Sequence, residues 1–343
     1  MIRFTSDYCE AAHPALLAAI ADTSLEGNAG YGTDDHCKNA AEMVRGLIGR
    51  PDADIHFFVG GTQTNMTAIA AFLKPYEAVI CADSGHINVH ETGAVEATGH
   101  KCLTALCPSG KLSPAQVAAI ADAHTDEHMV KPRMVYISQT TEVGTAYTKE
   151  ELAALSEVCR QKGLYLFLDG ARLASGLALG QLTLPDIAAL TAAFYIGGTK
   201  NGALFGEVLV ILNPALKPDF RFHIKQRGGM LAKGWLLGVQ FEQLFENDGA
   251  LYMALGRHAN EMAARLRAGL QALPAVRFDV DSPSNQLFVS IPAAGLEPLR
   301  ADFAWSDMGP AVNGMQALRL VTSWATTEDQ VDAFLSALGK ALA

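Results

Sequence analysis

Leu164-Tyr165-Leu166-Phe167-Leu168-Asp169-Gly170 is an apolar run that ends on an acid and a glycine. Near-continuous apolar character marks a strand buried on both faces, as in parallel sheets covered by helices. Such a strand delivers Asp169 at its C-terminal end. Working outward, Thr148 and Glu151 form a capping box for the helix that precedes it and runs to about Lys162. Downstream, Phe194-Tyr195-Ile196-Gly197-Gly198-Thr199-Lys200-Asn201-Gly202-Ala203-Leu204-Phe205-Gly206 sets one lysine among small residues after a further apolar strand. Lys200 is either a surface residue on a glycine-rich loop or an amine held for chemistry. Asp169, 31 residues earlier, favours the second reading. An acid at one strand end and a lysine after the next strand suit a pyridoxal 5'-phosphate (PLP) site. The amine forms a Schiff base, and the carboxylate keeps the pyridine nitrogen protonated so that the ring acts as an electron sink.

The bulk properties agree with a large buried core. Half of the 343 residues are apolar and 18% are charged, enough for one large and one smaller domain. With 26 basic and 36 acidic residues and a formal charge of −10, neither nucleic acid nor an anionic membrane is the expected partner. No apolar run reaches the length of a spanning helix, and the opening residues lack the regions of a signal peptide. A cytoplasmic protein is expected. Cys9, Cys37, Cys81, Cys102, Cys107 and Cys159 are scattered without metal-ligand spacing, which reads as free thiols.

Thr5-Ser6-Asp7 opens the chain, and Leu16, Leu17 and Ile20 are spaced for one helix face. The stretch Glu26 to Asp35 is a glycine-rich turn, and Thr33, Asp34 or Asp35 caps the next helix. Tyr31, between two glycines, is either part of a connector or a ring set against a ligand. Ile55 to Val59 is a strand, Gly60-Gly61-Thr62-Gln63-Thr64-Asn65 a turn, and Met66 to Leu73 the start of a helix. Free backbone N–H groups and a hydroxyl there form a natural phosphate seat, although such turns are also plain connectors.

Ala78 to Cys81 is a strand leading to Asp83, His86, His90 and Glu91, whose spacing fits no standard metal site. No metal is expected. His86, just past the strand end, is placed to lie flat on a ring or act as a base, whereas His90 caps or packs. A helix over Leu112 to His124 and a strand over Arg133 to Ser138 lead to the polar edge Gln139-Thr140-Thr141-Glu142-Val143-Gly144. Thr62, His86, Thr140, Asp169, Arg172 and Lys200 all follow strands, so a parallel sheet gathers them at its carboxyl edge.

Beyond Pro218 the stretch Arg221 to Met230 is locally basic. A long helix covers Tyr252 to Leu273, with strands at 276–280, 286–291 and 318–323 and a final helix from Glu328. We divide the chain into an N-terminal arm with a helical segment (1–50), a PLP-binding large domain (51–245) and a small C-terminal α+β domain (246–343), with the first fifty residues lying near the small one.

The chain resembles the L-threonine aldolase family of PLP-dependent fold type I enzymes, the aspartate aminotransferase superfamily, over nearly its whole length. The resemblance is carried by Thr5-Ser6-Asp7, Tyr31-Gly32, Gly61-Thr62 with Asn65, Gly85-His86 with Glu91-Thr92-Gly93-Ala94, Asp169-Gly170-Ala171-Arg172, Thr199-Lys200-Asn201-Gly202 and Arg319-Leu320-Val321-Thr322. The lysine segment is similar to that of the low-specificity, phenylserine aldolase-like branch. The resemblance implies an α/β large domain with a mostly parallel sheet, a smaller α+β domain, and reversible cleavage of β-hydroxy-α-amino acids to glycine and an aldehyde.

It further implies that Lys200 carries PLP, Asp169 pairs with the pyridine nitrogen and His86 stacks on the ring. Gly61 and Thr62 hold the phosphate, with Lys225 or Arg227 donated by a neighbouring subunit of a dimer or tetramer. Arg172 and Arg319 take the substrate carboxylate, because a planar fork fixes orientation as well as charge. Arg172 also touches the cofactor, and Ser6 and Tyr31 join the substrate site. Relatives often place a histidine where Thr141 is expected to stand here, so His86 is the candidate base. The alternative is another PLP-dependent lyase, a racemase or a transaminase acting on a small amino acid.

Overall fold

A computed structural model describes residues 1–343. Its strands are β1 (Ile2–Arg3), β2 (Asp54–Phe58), β3 (Glu77–Ala82), β4 (Cys102–Ala105), β5 (Lys131–Ser138), β6 (Tyr165–Asp169), β7 (Ala193–Gly197), β8 (Glu207–Ile211), β9 (Arg277–Phe278), β10 (Gln286–Pro292), β11 (Phe303–Ala304), β12 (Ser306–Asp307) and β13 (Met315–Val321). Seven of them form the central sheet in the order β2-β8-β7-β6-β5-β3-β4. All run parallel except β8, which is antiparallel to both of its neighbours. The carboxyl ends of β2, β3, β5, β6 and β7 therefore open on one edge, and β8 begins there.

The sequence sets these elements locally. Thr148 accepts the Glu151 N–H while Glu151 returns a bond to the Thr148 backbone, and the helix Lys149–Lys162 ends at Gly163 with φ of 66°. Ser113 and Gln116 form a second capping box ahead of Pro114–Ala123, with proline at its start. Asp34 is the residue that caps Asp35–Ile48, its carboxylate accepting the Cys37 N–H at 2.8 Å. The helix after β2 begins at Gly61 rather than at the expected Met66, so Gly61 and Thr62 form its first turn. Strands β4 and β8, which the sequence reading did not separate, complete the sheet. Near-continuous burial of β3, β6, β7 and β8 explains their unbroken apolar runs.

The second unit is a four-stranded antiparallel sheet, β12-β13-β10-β9, covered by the helix Glu328–Leu342. Its core includes Phe4, Leu266, Leu287, Trp305, Leu320 and Phe334. Each fully buried side chain of this kind contributes roughly 1.5–3 kcal/mol. The first fifty residues divide between the two units. Strand β1 pairs in parallel with β11 and Phe4 packs on Phe334, whereas Leu16, Ala40, Val44 and Ile48 join the large-sheet core. Of the three apolar residues spaced on the first helix only Leu16 is buried, and Leu17 is exposed.

The long helix begins at Trp235, earlier than the expected Tyr252, and reaches Gln271. It is broken at Glu246–Gly249, where Asn247, Asp248 and Gly249 take positive φ. Phe241, Leu244 and Tyr252 pack in the large core and Met262, Leu266 and Leu270 in the small one, so the helix bridges the two units.

Candidate active site

Asp169 ends β6 on the floor of a cavity of about 250 Å³ at the carboxyl edge of the sheet. Its Oδ1 accepts the Tyr195 hydroxyl and the Ala171 N–H, and its Oδ2 accepts the Tyr136 hydroxyl and the Asn65 amide. The residue is 3% exposed. Burial works to raise its pKa, but His86 and the bonds from Tyr136, Tyr195 and Asn65 outweigh burial and hold it below the usual carboxylate value. A carboxylate thus stays ionised inside the protein. Glycine must follow it, because a Cβ at Gly170 would meet the Tyr195 carbonyl oxygen at 1.8 Å.

Lys200 sits in the tight turn joining β7 to β8. The Gly198 and Thr199 N–H groups donate to the Gly206 carbonyl, and the Gly206 N–H returns to Thr199 Oγ1. Asn201 donates to the Tyr252 carbonyl at 2.9 Å while the Tyr252 hydroxyl donates to Gly197 O at 3.1 Å, which pins the turn to the long helix. Burial, with help from the Arg172 charge, lowers the Lys200 pKa against the pull of Asp7, Asp169 and Glu207. Glu207, the first residue of β8, accepts the Gly198 N–H at 3.1 Å, and burial pushes its carboxyl up to about 8.

His86 opens a short helix beyond β3, with Nδ1 2.8 Å from Glu91 Oε1. The Asn65 amide bonds the same Glu91 oxygen at 2.8 Å, so one amide joins the His86–Glu91 pair to Asp169. Glu142, past the end of β5, accepts the His86 N–H at 2.9 Å and the Ser138 hydroxyl at 2.6 Å through Oε1. Gly61 and Thr62 line the cavity at the start of a 12-residue helix that has no side-chain N-cap, which leaves free N–H groups for an anion.

Arg172 lines the cavity and forms a forked pair with Asp7, Nε to Oδ2 at 2.7 Å and Nη2 to Oδ1 at 3.1 Å. The two side chains are 11% and 1% exposed. Asn285 adds a third bond to Asp7, and Arg172 Nη1 carries no protein hydrogen bond. Arg319, on β13, donates weakly to the Thr5 carbonyl, and its buried Nε has no partner. Burial, reinforced by the Arg172 charge, lowers its pKa.

The six groups expected at strand ends, Thr62, His86, Thr140, Asp169, Arg172 and Lys200, all line this one cavity. Ser6, Tyr31, Lys225, Arg227 and Arg319 do not line it. Ser6 lies beside Cys9 and adjoins Asp7 in sequence. Tyr31 is 47% exposed and holds Lys225 over its ring at 4.7 Å, on the rim of a second cavity of about 300 Å³. Arg227 points to Gln226, although its carbonyl accepts the Gln63 side chain beside Thr62.

Tyr8, Glu142 and Glu207 line the cavity without having been expected there. Asp7, Asn65 and Glu91 were noted in the sequence without a role of their own. Only Glu142 carried a local signal, as an acid on the polar edge beyond β5.

The sequence profile of the β-eliminating lyase family matches residues 4–291. The chain belongs to this family. Within it, the chain is 33% identical over 333 residues to the low specificity L-threonine aldolase of Pseudomonas sp. (strain NCIMB 10558), spanning 96% of this chain and 94% of that relative. The Pseudomonas aeruginosa counterpart is 32% identical over the same shares. A solved Leishmania major threonine aldolase superposes with a TM-score of 0.98 at 50% identity, covering all of both chains. Aspartate aminotransferase from Thermus thermophilus superposes at 0.72 with 17% identity over 99% of this chain and 91% of that one. That likeness shows the shared PLP fold type I architecture of this β-eliminating lyase family member.

Proposed function

We propose that the chain is a low-specificity L-threonine aldolase. It uses PLP to cleave L-threonine, L-allo-threonine and other β-hydroxy-α-amino acids reversibly to glycine and an aldehyde. The observation that carries this reading is a buried, ionised Asp169 in the same cavity as Lys200, which has no carboxylate within ion-pair distance. Relatives bearing the aldolase name at 33% and 50% identity support it.

The cavity fits the cofactor on three counts. Asp169 supplies a permanent negative charge for a pyridinium nitrogen. Lys200 supplies an amine biased toward its neutral, nucleophilic form, and the helix start at Gly61-Thr62 supplies N–H donors for a phosphate. PLP, when bound, supplies the electron sink for the pair released as the Cα–Cβ bond breaks.

The chain's own residues do the rest. Lys200 would hold the cofactor through Nζ, and Asp169, itself fixed by Tyr136, Tyr195 and Asn65, would take the ring nitrogen. His86, oriented by Glu91, would cover the ring. Arg172, oriented by Asp7, presents Nη1 to the substrate carboxylate and an edge to the cofactor. Arg319 completes the carboxylate site, where the orphaned Nε awaits an acceptor. Ser6 would act beside Asp7, and Tyr31, held with Lys225 away from this cavity, would serve the substrate site of a neighbouring subunit. Lys225 or Arg227 would reach the phosphate of a neighbouring subunit in a homodimer or tetramer. Six free cysteines suit the reducing cytoplasm.

Product analysis tests the reading. Purified holoenzyme given L-threonine, L-allo-threonine or L-phenylserine releases glycine and the matching aldehyde. Turnover that needs a keto-acid acceptor and yields no aldehyde overturns it in favour of a transaminase.

A further inference from the structure

The aldol cleavage proposed above needs a group that takes the proton of the substrate's β-hydroxyl, and the acids around the cavity differ in their freedom to do so. Asp169 has both oxygens engaged by four donors. Glu207 Oε2 accepts the Gly198 N–H and lies against the lysine turn. His86 has Nδ1 committed to Glu91 and leaves Nε2 open, but its ring is the one assigned above to cover the cofactor. Glu142 is built differently. Its Oε1 is anchored by the His86 N–H and the Ser138 hydroxyl, while Oε2 accepts no bond from another residue and is not fully buried, on a side chain that lines the cavity. Two residues earlier on the same edge, Thr140 Oγ1 is buried and unpartnered, and it lines the cavity too. A carboxylate fixed through one oxygen with the other left open, beside a hydroxyl without a partner, suits a proton acceptor with a positioning donor.

We infer that Glu142 is the acid–base residue of the aldol step, with Oε2 taking the proton from the β-hydroxyl. The O–H bond breaks and its electron pair forms the second C–O bond of the aldehyde. The Cα–Cβ pair leaves with the glycine fragment, and the proton rests on Oε2 until the aldehyde departs or synthesis returns it. The inference rests on the aldolase reading.

The surroundings suit the role. Burial raises the Glu142 pKa and the Asp169 charge adds to it, against the bonds from Ser138 and the His86 N–H. The titratable and charged groups facing it are His86, Cys81, Tyr136, Tyr147, Asp169 and Arg172. A base must be ionised, so cleavage rises with pH through this raised pKa, and its acid limb lies above that of an ordinary glutamate.

Wild type, Glu142→Gln and Glu142→Asp holoenzymes are compared for aldehyde release across pH and, by proton NMR in D2O, for exchange of the glycine α-proton, a step without a β-hydroxyl. Glu142→Gln keeps the volume and can still accept the two anchoring bonds, but it cannot take a proton. It loses on the order of 10²–10⁴-fold in kcat/KM for L-threonine and the acid limb of its pH profile, while glycine exchange persists. Glu142→Asp recovers part of the cleavage. In the apoprotein, the infrared intensity of protonated carboxyls that titrate above the ordinary glutamate range falls by one group in Glu142→Gln, the Glu207 contribution remaining.

Cleavage at the wild-type rate in Glu142→Gln overturns the inference alone. So does an equal fall in cleavage and exchange, which marks a structural role. A wild-type protein that exchanges glycine but releases no aldehyde overturns the aldolase reading and this inference with it.

Discussion

Two cavities of this chain, one at the sheet edge and one beside the helix Asp35–Ile48, hold their charged residues in opposite ways. At the sheet edge, Asp169 and Arg172 follow β6 while Lys200 and Glu207 lie at the turn from β7 to β8; burial moves the pKa of Lys200 down and of Glu207 up, and fixed partners overcome burial to keep Asp169 and Arg172 ionised. In the second cavity, Lys38, Glu42 and Arg45 stand on the helix Asp35–Ile48 and Arg221 on the short helix Phe220–Gln226, with the half-exposed Tyr31 at the rim and Lys225 stacked over its ring. A buried charge persists only where its partners are fixed, so the first cavity is made for a resident charged ligand. Charges that keep their water can turn toward a partner at little cost, as the proposed reach of this region to a neighbouring subunit requires.

Breaking this contrast starts at the lysine turn. Lys200→Ala removes the amine proposed to hold the cofactor and is expected to lower kcat/KM by at least the roughly 10²–10⁴-fold that loss of a single catalytic group costs. The visible absorbance of bound PLP and aldehyde release report it together. Arg172→Ala comes next, since it strands the 1%-exposed Asp7 carboxylate. Loss of one partner of a buried pair costs about 3–5 kcal/mol, read by denaturant unfolding, and the KM for L-threonine rises. If Arg172→Ala unfolds like wild type, the view of this wall as a fixed, dry ion pair is wrong.

A smaller effect concerns pH. Glu207 has its folded pKa raised from 4.5 to about 8, so between those values the folded chain binds a proton that the unfolded chain has released. Its contribution to stability is full below 4.5 and declines as pH rises to about 8. Glu207→Gln removes that decline, and the melting temperature of the apoprotein against pH will flatten over the window. The smallest effect belongs to the second cavity. Lys225→Ala should change stability by no more than about 0.5 kcal/mol while weakening PLP binding in the assembled enzyme. Mixing Lys225→Ala with Lys200→Ala subunits should restore activity through sites that take each wild-type residue from a different chain. No recovery in a verified mixed oligomer would show that the second cavity contributes nothing across the boundary.

Much of the fold was legible because its signals are local. The apolar run into Asp169, the capping box at Thr148 and the strand-end polar groups each announce themselves within a few residues. What escaped is non-local. Glu207 lies at the beginning of a reversed strand, and nothing in Gly206-Glu207-Val208 says that β8 runs against its neighbours. Asn65 is one helical turn from the phosphate seat and gains its role only because Glu91 and Asp169 converge on one amide. The division of the first fifty residues was hidden as well, since β1 pairs with a two-residue strand too short to carry a pattern.

That pairing sets a schedule. Ile2 and Phe4 donate to Asp302 and Ala304, Val321 donates to Phe4, and Asp7 bonds Asn285 across 278 residues. On a ribosome adding 5–20 residues per second, this interval lasts roughly 15–60 s. Throughout it, the carboxylate that orients Arg172 has emerged while the strands that will enclose it have not. The active cavity is therefore among the last parts of the molecule to be finished, although Asp7 is among the first residues made.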